Sequence, residues 1–208
     1  MSRSSSHSAM TAAAQFLSTT WHALRENHEI PLRRHFTPRL MAEYLPDIFI
    51  LHHRSKGGIQ FRLAGTRLCA RHGQELRNQL FSSLWPKNHQ VETEEMLQSV
   101  AGSNTPLCAQ LSGISQMQRQ NGFELVLMPV LHQDETQWIG AIAAHKEPYW
   151  LEADPIHHYQ VQESFAITQD NLQAAKVQVN AAFAAKHPSA AKSASKRPAF
   201  RVILGGKQ

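Results

Sequence analysis

From Pro106 onward the hydrophobic pattern takes on a strand-like period, and this constrains the fold more than any other feature of the chain. Residues 107–116, 122–132 and 136–146 are strand-like runs joined by loops that contain Gln120-Asn121-Gly122 and Gln133-Asp134-Glu135. Connections this short allow only antiparallel neighbours, because a parallel pair needs a crossover of a dozen or more residues. Two earlier runs, 47–53 and 59–64, flank Arg54-Ser55-Lys56-Gly57-Gly58, and paired glycines between such runs signal a hairpin. Between hairpin and meander lie helical stretches. One contains Leu68, Cys69 and Ala70 between Gly65 and Gly73; another follows Pro86 with Val91, Met96, Leu97 and Val100 on its apolar side. Two strands, a helix cluster and three strands predict an α+β fold with one five-stranded antiparallel sheet.

The ends read differently. Residues 1–14 are a Ser- and Ala-rich leader, with a helical pattern emerging from Thr11 through Phe16, Trp21 and Leu24 and stopped by Pro31. The stretch to Tyr44 carries Arg33, Arg34 and Arg39 and a Thr37-Pro38 cap signal ahead of a short helix. The main domain spans 15–150. Residues 155–185 hold few helix breakers and predict a helical extension, 186–198 a flexible basic linker, and 199–208 a short β-prone segment around Phe200–Leu204 that would need a pairing partner.

A length of 208 residues suits one core with extensions, and 42% apolar against 18% charged residues suits a globular chain. No apolar run approaches the roughly 20 residues that span a bilayer, and the N-terminus lacks a secretory apolar stretch. Two cysteines outside any Cys-x-x-Cys pair give no disulfide framework, so a cytoplasmic location with reduced thiols is expected. The net charge of +5 is unevenly spread: seven basic and no acidic residues follow Asp170, whereas 14 basic face 16 acidic residues up to it. The excess belongs to the tail and argues against a nucleic-acid platform on the folded body.

The residue types that carry chemistry point away from catalysis and metal binding. Adjacent histidines such as His52-His53 and His157-His158 project to opposite faces of a strand and lack zinc-ligand spacing. No Gly-x-Ser-x-Gly occurs, and Cys69 and Cys108 fall where small core side chains are expected. Gly57-Gly58 and Gly205-Gly206 are not placed between a strand and a helix, as a phosphate loop requires. Arg62, between Phe61 and Leu63, faces the outer side of its strand and reads as solvated or paired with Asp47 or Glu75 rather than as an anion site.

Taken together, Trp21-x-x-Leu24-Arg25, Ile30-Pro31-x-Arg33, Thr37-Pro38, Leu45-Pro46-Asp47-Ile48-Phe49 and Phe61-Arg62-Leu63-Ala64-Gly65-Thr66 form a distinctive series. Gly73-Gln74-Glu75-Leu76, Phe81, Trp85, Glu124-Leu125-x-Leu127-Met128-Pro129-Val130 and the closing Arg201–Lys207 continue it. The series resembles the small PAS-like family common in alphaproteobacteria and once catalogued as a domain of unknown function. The chain departs from it at Arg77-Asn78-Gln79 and in the long Ala/Gln-rich stretch 155–188. The resemblance implies a PAS fold, with helices packed on one face of the five-stranded sheet and added N- and C-terminal helices, in agreement with the strand order read independently.

From that resemblance follows a non-catalytic sensory or regulatory protein that acts through protein–protein contacts, gated by a small apolar ligand. The expected pocket residues are Phe49, Leu51, Phe61, Leu63, Leu68, Cys69, Trp85, Met96, Leu127 and Ile142. The expected partner or homodimer surface is the N-terminal helix with Phe16, Trp21 and Leu24. No cofactor or metal is required; a haem or flavin fits the fold in general, but no Gly-rich flavin contact or well-placed His supports either. The alternatives are a small-molecule enzyme on a cone-like α+β fold and a nucleic-acid binder using the basic tail.

Overall fold

A computed structural model describes residues 10–25 and 30–168. The elements are α1 (Ala12–Leu24), β1 (Ile48–His53), β2 (Ile59–Ala64), α2 (Thr66–His72), α3 (Gln90–Ser103), β3 (Leu107–Ser115), β4 (Gln120–His132), β5 (Glu135–Ala144) and β6 (Ile156–Ala166), with short 3-10 turns between them. The strands form one six-stranded sheet in the order β2-β1-β5-β4-β3-β6, and every pair is antiparallel. No described helix is long and apolar enough to cross a membrane.

Both faces of the sheet are covered, which explains why residues 125–131 of β4 are apolar without a break. Phe123, Leu125 and Leu127 point to a core shared with α2, α3 and the turn at Phe81–Leu84. Val126, Met128 and Val130 point to a second core under α1. Trp138 on β5 joins the first core and its Nε1 donates to Leu97 O of α3 at 2.9 Å. On the other side Trp21 of α1 is fully buried and its Nε1 donates to Pro129 O at 2.7 Å. The start of α1 is held by Glu124, a buried carboxylate of β4 that accepts from Thr11 N (2.7 Å), Thr11 Oγ1 (2.8 Å) and Gln110 Nε2 (2.9 Å).

Two sequence expectations are corrected. The helix expected across 155–185 is a sixth strand over its described part. A bulge between Ile114 and Ser115 leaves His157 unpaired, so Ile156 and Tyr159, three residues apart, both enter the first core. That spacing mimics a helix, and the mostly exposed remainder of an edge strand gives no clean alternation to offset it. Similarly, the leader ends earlier than expected: Thr11 caps α1, its Oγ1 accepting from Ala14 N at 3.4 Å. Residues 1–9 and 169–208, with the linker and the β-prone segment, lie outside the described residues.

The junction from β2 into α2 depends on a glycine. A Cβ at Gly65 would stand 2.3 Å from Pro46 O and 2.4 Å from Leu45 O, so the backbones meet only because none is there. Gly73 ends α2 with φ +62, the left-handed conformation of a C-cap.

Candidate functional site

Helix α3 and strand β6 do not close fully against each other. Between them lies a groove of about 470 Å³ whose walls include Trp85, Thr93 and Met96 on the helical side and Tyr159, Val161 and Ser164 on β6. Trp85 is buried, yet its Nε1 has no hydrogen-bond partner among the described residues. A buried N–H left unpaired costs about 1–3 kcal/mol, a cost that an occupant would relieve if its acceptor oxygen reached the indole. At the rim, Nδ1 of His89 lies 2.8 Å from Glu92 Oε2. Thr93 Oγ1 is already engaged, donating to His89 O at 2.8 Å.

Of the ten expected pocket residues, Trp85 and Met96 come together on this groove. Phe49, Leu51, Phe61, Leu68, Leu127 and Ile142 are fully buried in the first core, and Phe49, Phe61 and Phe81 fill its centre with ring centroids 5.4 to 5.7 Å apart. Cys69 packs half-buried on the edge of that core, and Leu63 is exposed at 42% on the far end of the sheet, so neither belongs to the groove. Both thiols are held protonated: burial pushes each upward, with Glu75 adding to it at Cys69 and Glu124 at Cys108. Among the described residues no group of three or more His, Cys, Asp and Glu side chains is arranged to hold a metal ion.

The expected partner face on α1 is corrected at Trp21. Trp21 is the centre of the second core and is closed to any partner, while Phe16 stacks on Tyr44 at 4.8 Å and Leu24 packs against the same core. The apolar stripe of α1 is the underside of the domain's own lid on the sheet, a use indistinguishable by periodicity from a free surface.

Behind the groove, Tyr159 ties β6 to α2. Its hydroxyl lies 3.2 Å from His72 Nε2, and the two rings meet edge to face at 5.3 Å. Burial pulls the His72 imidazole down to about 4, with the Arg71 cation adding to the effect against a backbone contact from Ile156. Because the folded value lies below that of the unfolded chain, about 6.5, the contribution of this neutral ring to stability is complete above pH 6.5. It is lost as the pH falls toward 4. Unfolding free energy is expected to drop by about 3 kcal/mol across that window through this residue. Urea denaturation at several pH values checks it: His72→Gln should flatten the slope, and an unchanged slope would refute the assignment.

A buried ion cluster fixes α2 on the sheet. Arg71, 1% exposed, donates from Nη1 to Asp47 Oδ1 (2.9 Å) and Ile142 O (3.1 Å) and from Nη2 to Glu147, while Arg67 pairs with the other oxygen of Asp47. Asp47 is therefore taken by α2 and not by Arg62, and Glu75 accepts from Arg77 N at 3.0 Å and from the Cys69 thiol at 3.5 Å. Neither of the two acids expected for Arg62 is its partner.

Among solved structures, the chain is similar to the PAS domain of an HTR-like protein from Haloarcula marismortui, at 13% identity and a TM-score of 0.41, covering 53% of this chain and 93% of that one. It is also similar to an RNA-binding light-oxygen-voltage receptor, at 11% identity and a TM-score of 0.35, covering 65% of this chain and 35% of that one. No curated protein sequence matches. The sequence model of the PAS domain matches residues 9–143, from the cap of α1 to the end of β5, and β6 lies beyond it. With that span exceeding half its length, this chain belongs to the PAS domain family, whose fold points to a sensory or regulatory role.

Proposed function

We propose that the protein is a non-catalytic sensor that takes a small, mainly apolar ligand carrying a carbonyl or similar acceptor into the α3/β6 groove and passes the event to a partner protein along β6. The observation that carries this reading is the unpaired, buried Nε1 of Trp85 in the wall of a groove of about 470 Å³. That size falls in the range of small-molecule sites, about 300–1,000 Å³. Trp85, Met96 and Tyr159 supply apolar area, and the unpaired indole N–H of Trp85 is the polar group that an acceptor on the ligand would engage.

Strand β6 suits the output role. It is the outer strand of the sheet, with β3 as its one neighbour among the described strands, and Gln160–Ser164 are exposed. An edge strand of this kind accepts an added strand from a partner. Tyr159, Val161 and Ser164 line the groove from the same strand, so ligand and partner bias one element, the condition for coupling between two sites.

The test is a titration of the full chain with a panel of small neutral ketones and amides, followed by calorimetry. Trp85→Phe, which removes the donor and keeps an aromatic ring, is expected to weaken binding about tenfold. Met96→Trp, which fills the groove, is expected to abolish it. Binding unchanged in both variants would refute the groove as the ligand seat.

A further inference from the structure

At the opposite end of the sheet is a second cavity, of about 480 Å³ and of different chemistry. Its lining brings together three guanidinium groups from separate segments: Arg33 in the 3-10 turn before β1, Arg62 on β2 and Arg77 in the loop after α2. His52 of β1 and Asn78 complete the polar wall. Among the described residues none of these three arginines has a carboxylate within ion-pair distance; the acids that do pair are Asp47, Glu92, Glu147 and Asp154. The one carboxylate on the lining is Glu75, which is exposed and accepts from Arg77 N and the Cys69 thiol.

The placement of Arg33 is enforced by the fold. Leu131 N donates to Pro31 O at 3.0 Å and Leu32 bridges Leu131, which lays the chain along the end of β4 and sets the guanidinium against the ring of His132, Nη2 lying 3.2 and 3.3 Å from its two nitrogens. Arg33 Nε is buried and has no hydrogen-bond partner among the described residues. The positive groups oppose one another. Burial and Arg62 lower Arg33; burial followed by Arg62 lowers His52; and burial, Arg33 and Arg62 lower His132, with Glu135 pulling both imidazoles the other way. Repulsion among Arg33, Arg62 and the two imidazoles is relieved by an anion, and a guanidinium fork matches tetrahedral and planar oxyanions through paired N–H donors, while Arg77, which acts on the exposed Glu75, stands at the edge of the same cavity.

We infer that the cavity between Arg33, Arg62 and Arg77 binds the phosphate group of a small phosphate monoester. Three guanidiniums favour a doubly charged group over a single carboxylate, and the volume leaves room for the remainder of the ester beside Ile50 and Leu63. The site lies at the β1–β2 end of the sheet, whereas the α3/β6 groove borders β6 at the other end, so the two are separate sites for ligands of opposite character.

The experiment is calorimetric titration of the full chain, in a phosphate-free buffer at low salt, with phenyl phosphate, inorganic phosphate and succinate. One equivalent of phenyl phosphate is expected to bind, more tightly than inorganic phosphate and at least tenfold more tightly than succinate. Arg62→Gln, at an exposed position, should weaken it at least tenfold, and Arg33→Gln likewise, while Lys87→Gln should leave it unchanged. In the wild type, bound phosphate should raise the titration midpoints of His52 and His132, followed by NMR. Equal weakening by Lys87→Gln, succinate binding as tightly as phenyl phosphate, immobile His52 and His132 resonances, or no binding at millimolar concentration would each overturn the assignment.

Discussion

Asp47→Ala is expected to lower the stability of the domain by about 3–5 kcal/mol. The reason is not the strength of the ion pair but what its loss leaves behind. Arg71 is 1% exposed, and Asp47, itself 4% exposed, accepts from it at 2.9 Å while also receiving Arg67. Glu147 would remain as a partner, but its side chain is 58% exposed and reaches Arg71 from the surface, so it offsets the buried cation only in part. Chemical denaturation of the variant checks the size of the loss, and Asp47→Asn should recover part of it by keeping one acceptor. A loss below about 1 kcal/mol would mean that Arg71 relaxes to solvent and that the cluster does not anchor α2.

Trp21→Ala is expected to cost about 3–5 kcal/mol as well, for a different reason: it empties the centre of the second core. Trp21 is fully buried among Leu17, Ile139 and neighbouring apolar side chains, and its indole bonds to Pro129 O on β4. The substitution should detach α1 and expose the sheet face that carries Val126, Met128 and Ile139. Thermal unfolding together with hydrogen exchange on β4 and β5 distinguishes this from a role at a partner surface. If Trp21 served an interface, the variant would keep its stability and lose only association.

The difference between α1 as read and α1 as folded shows where sequence patterns run out. An apolar stripe with Phe16, Trp21 and Leu24 requires a partner surface, but periodicity does not say whether that surface is a second molecule or the chain's own sheet. The information lay in β4, where residues 125–130 are apolar on both sides of the pleat and so need cover on both faces. The core strands were legible because each combines an apolar run with a short connection. The last strand was not, since a bulge at His157 places its two most buried residues three apart.

The candidate site was legible in part for the same reasons. Trp85 and Met96 are readable as inward-facing residues of the helix cluster, and both line the groove. Tyr159, Val161 and Ser164 were hidden behind the misread strand. Of the eight other candidates, the six in the first core share the apolar character of pocket walls but fill space against one another. Residue type cannot distinguish the two uses. The pairing of Arg67 and Arg71 with Asp47 is likewise invisible until α2 is placed, after which the four-residue spacing brings both onto one face.

The indole N–H resonances of the tryptophans test the account most directly, because each reports a different place. Trp21 and Trp138 donate to Pro129 O and Leu97 O, while Trp85 donates to nothing among the described residues. On titration of the full chain with a neutral ketone or amide that binds, the Trp85 indole and the amides of residues 159–164 are expected to shift together, with Trp21 and Trp138 unmoved. Shifts centred on Trp21 or Trp138, with Trp85 and β6 silent, would contradict a ligand seat between α3 and β6.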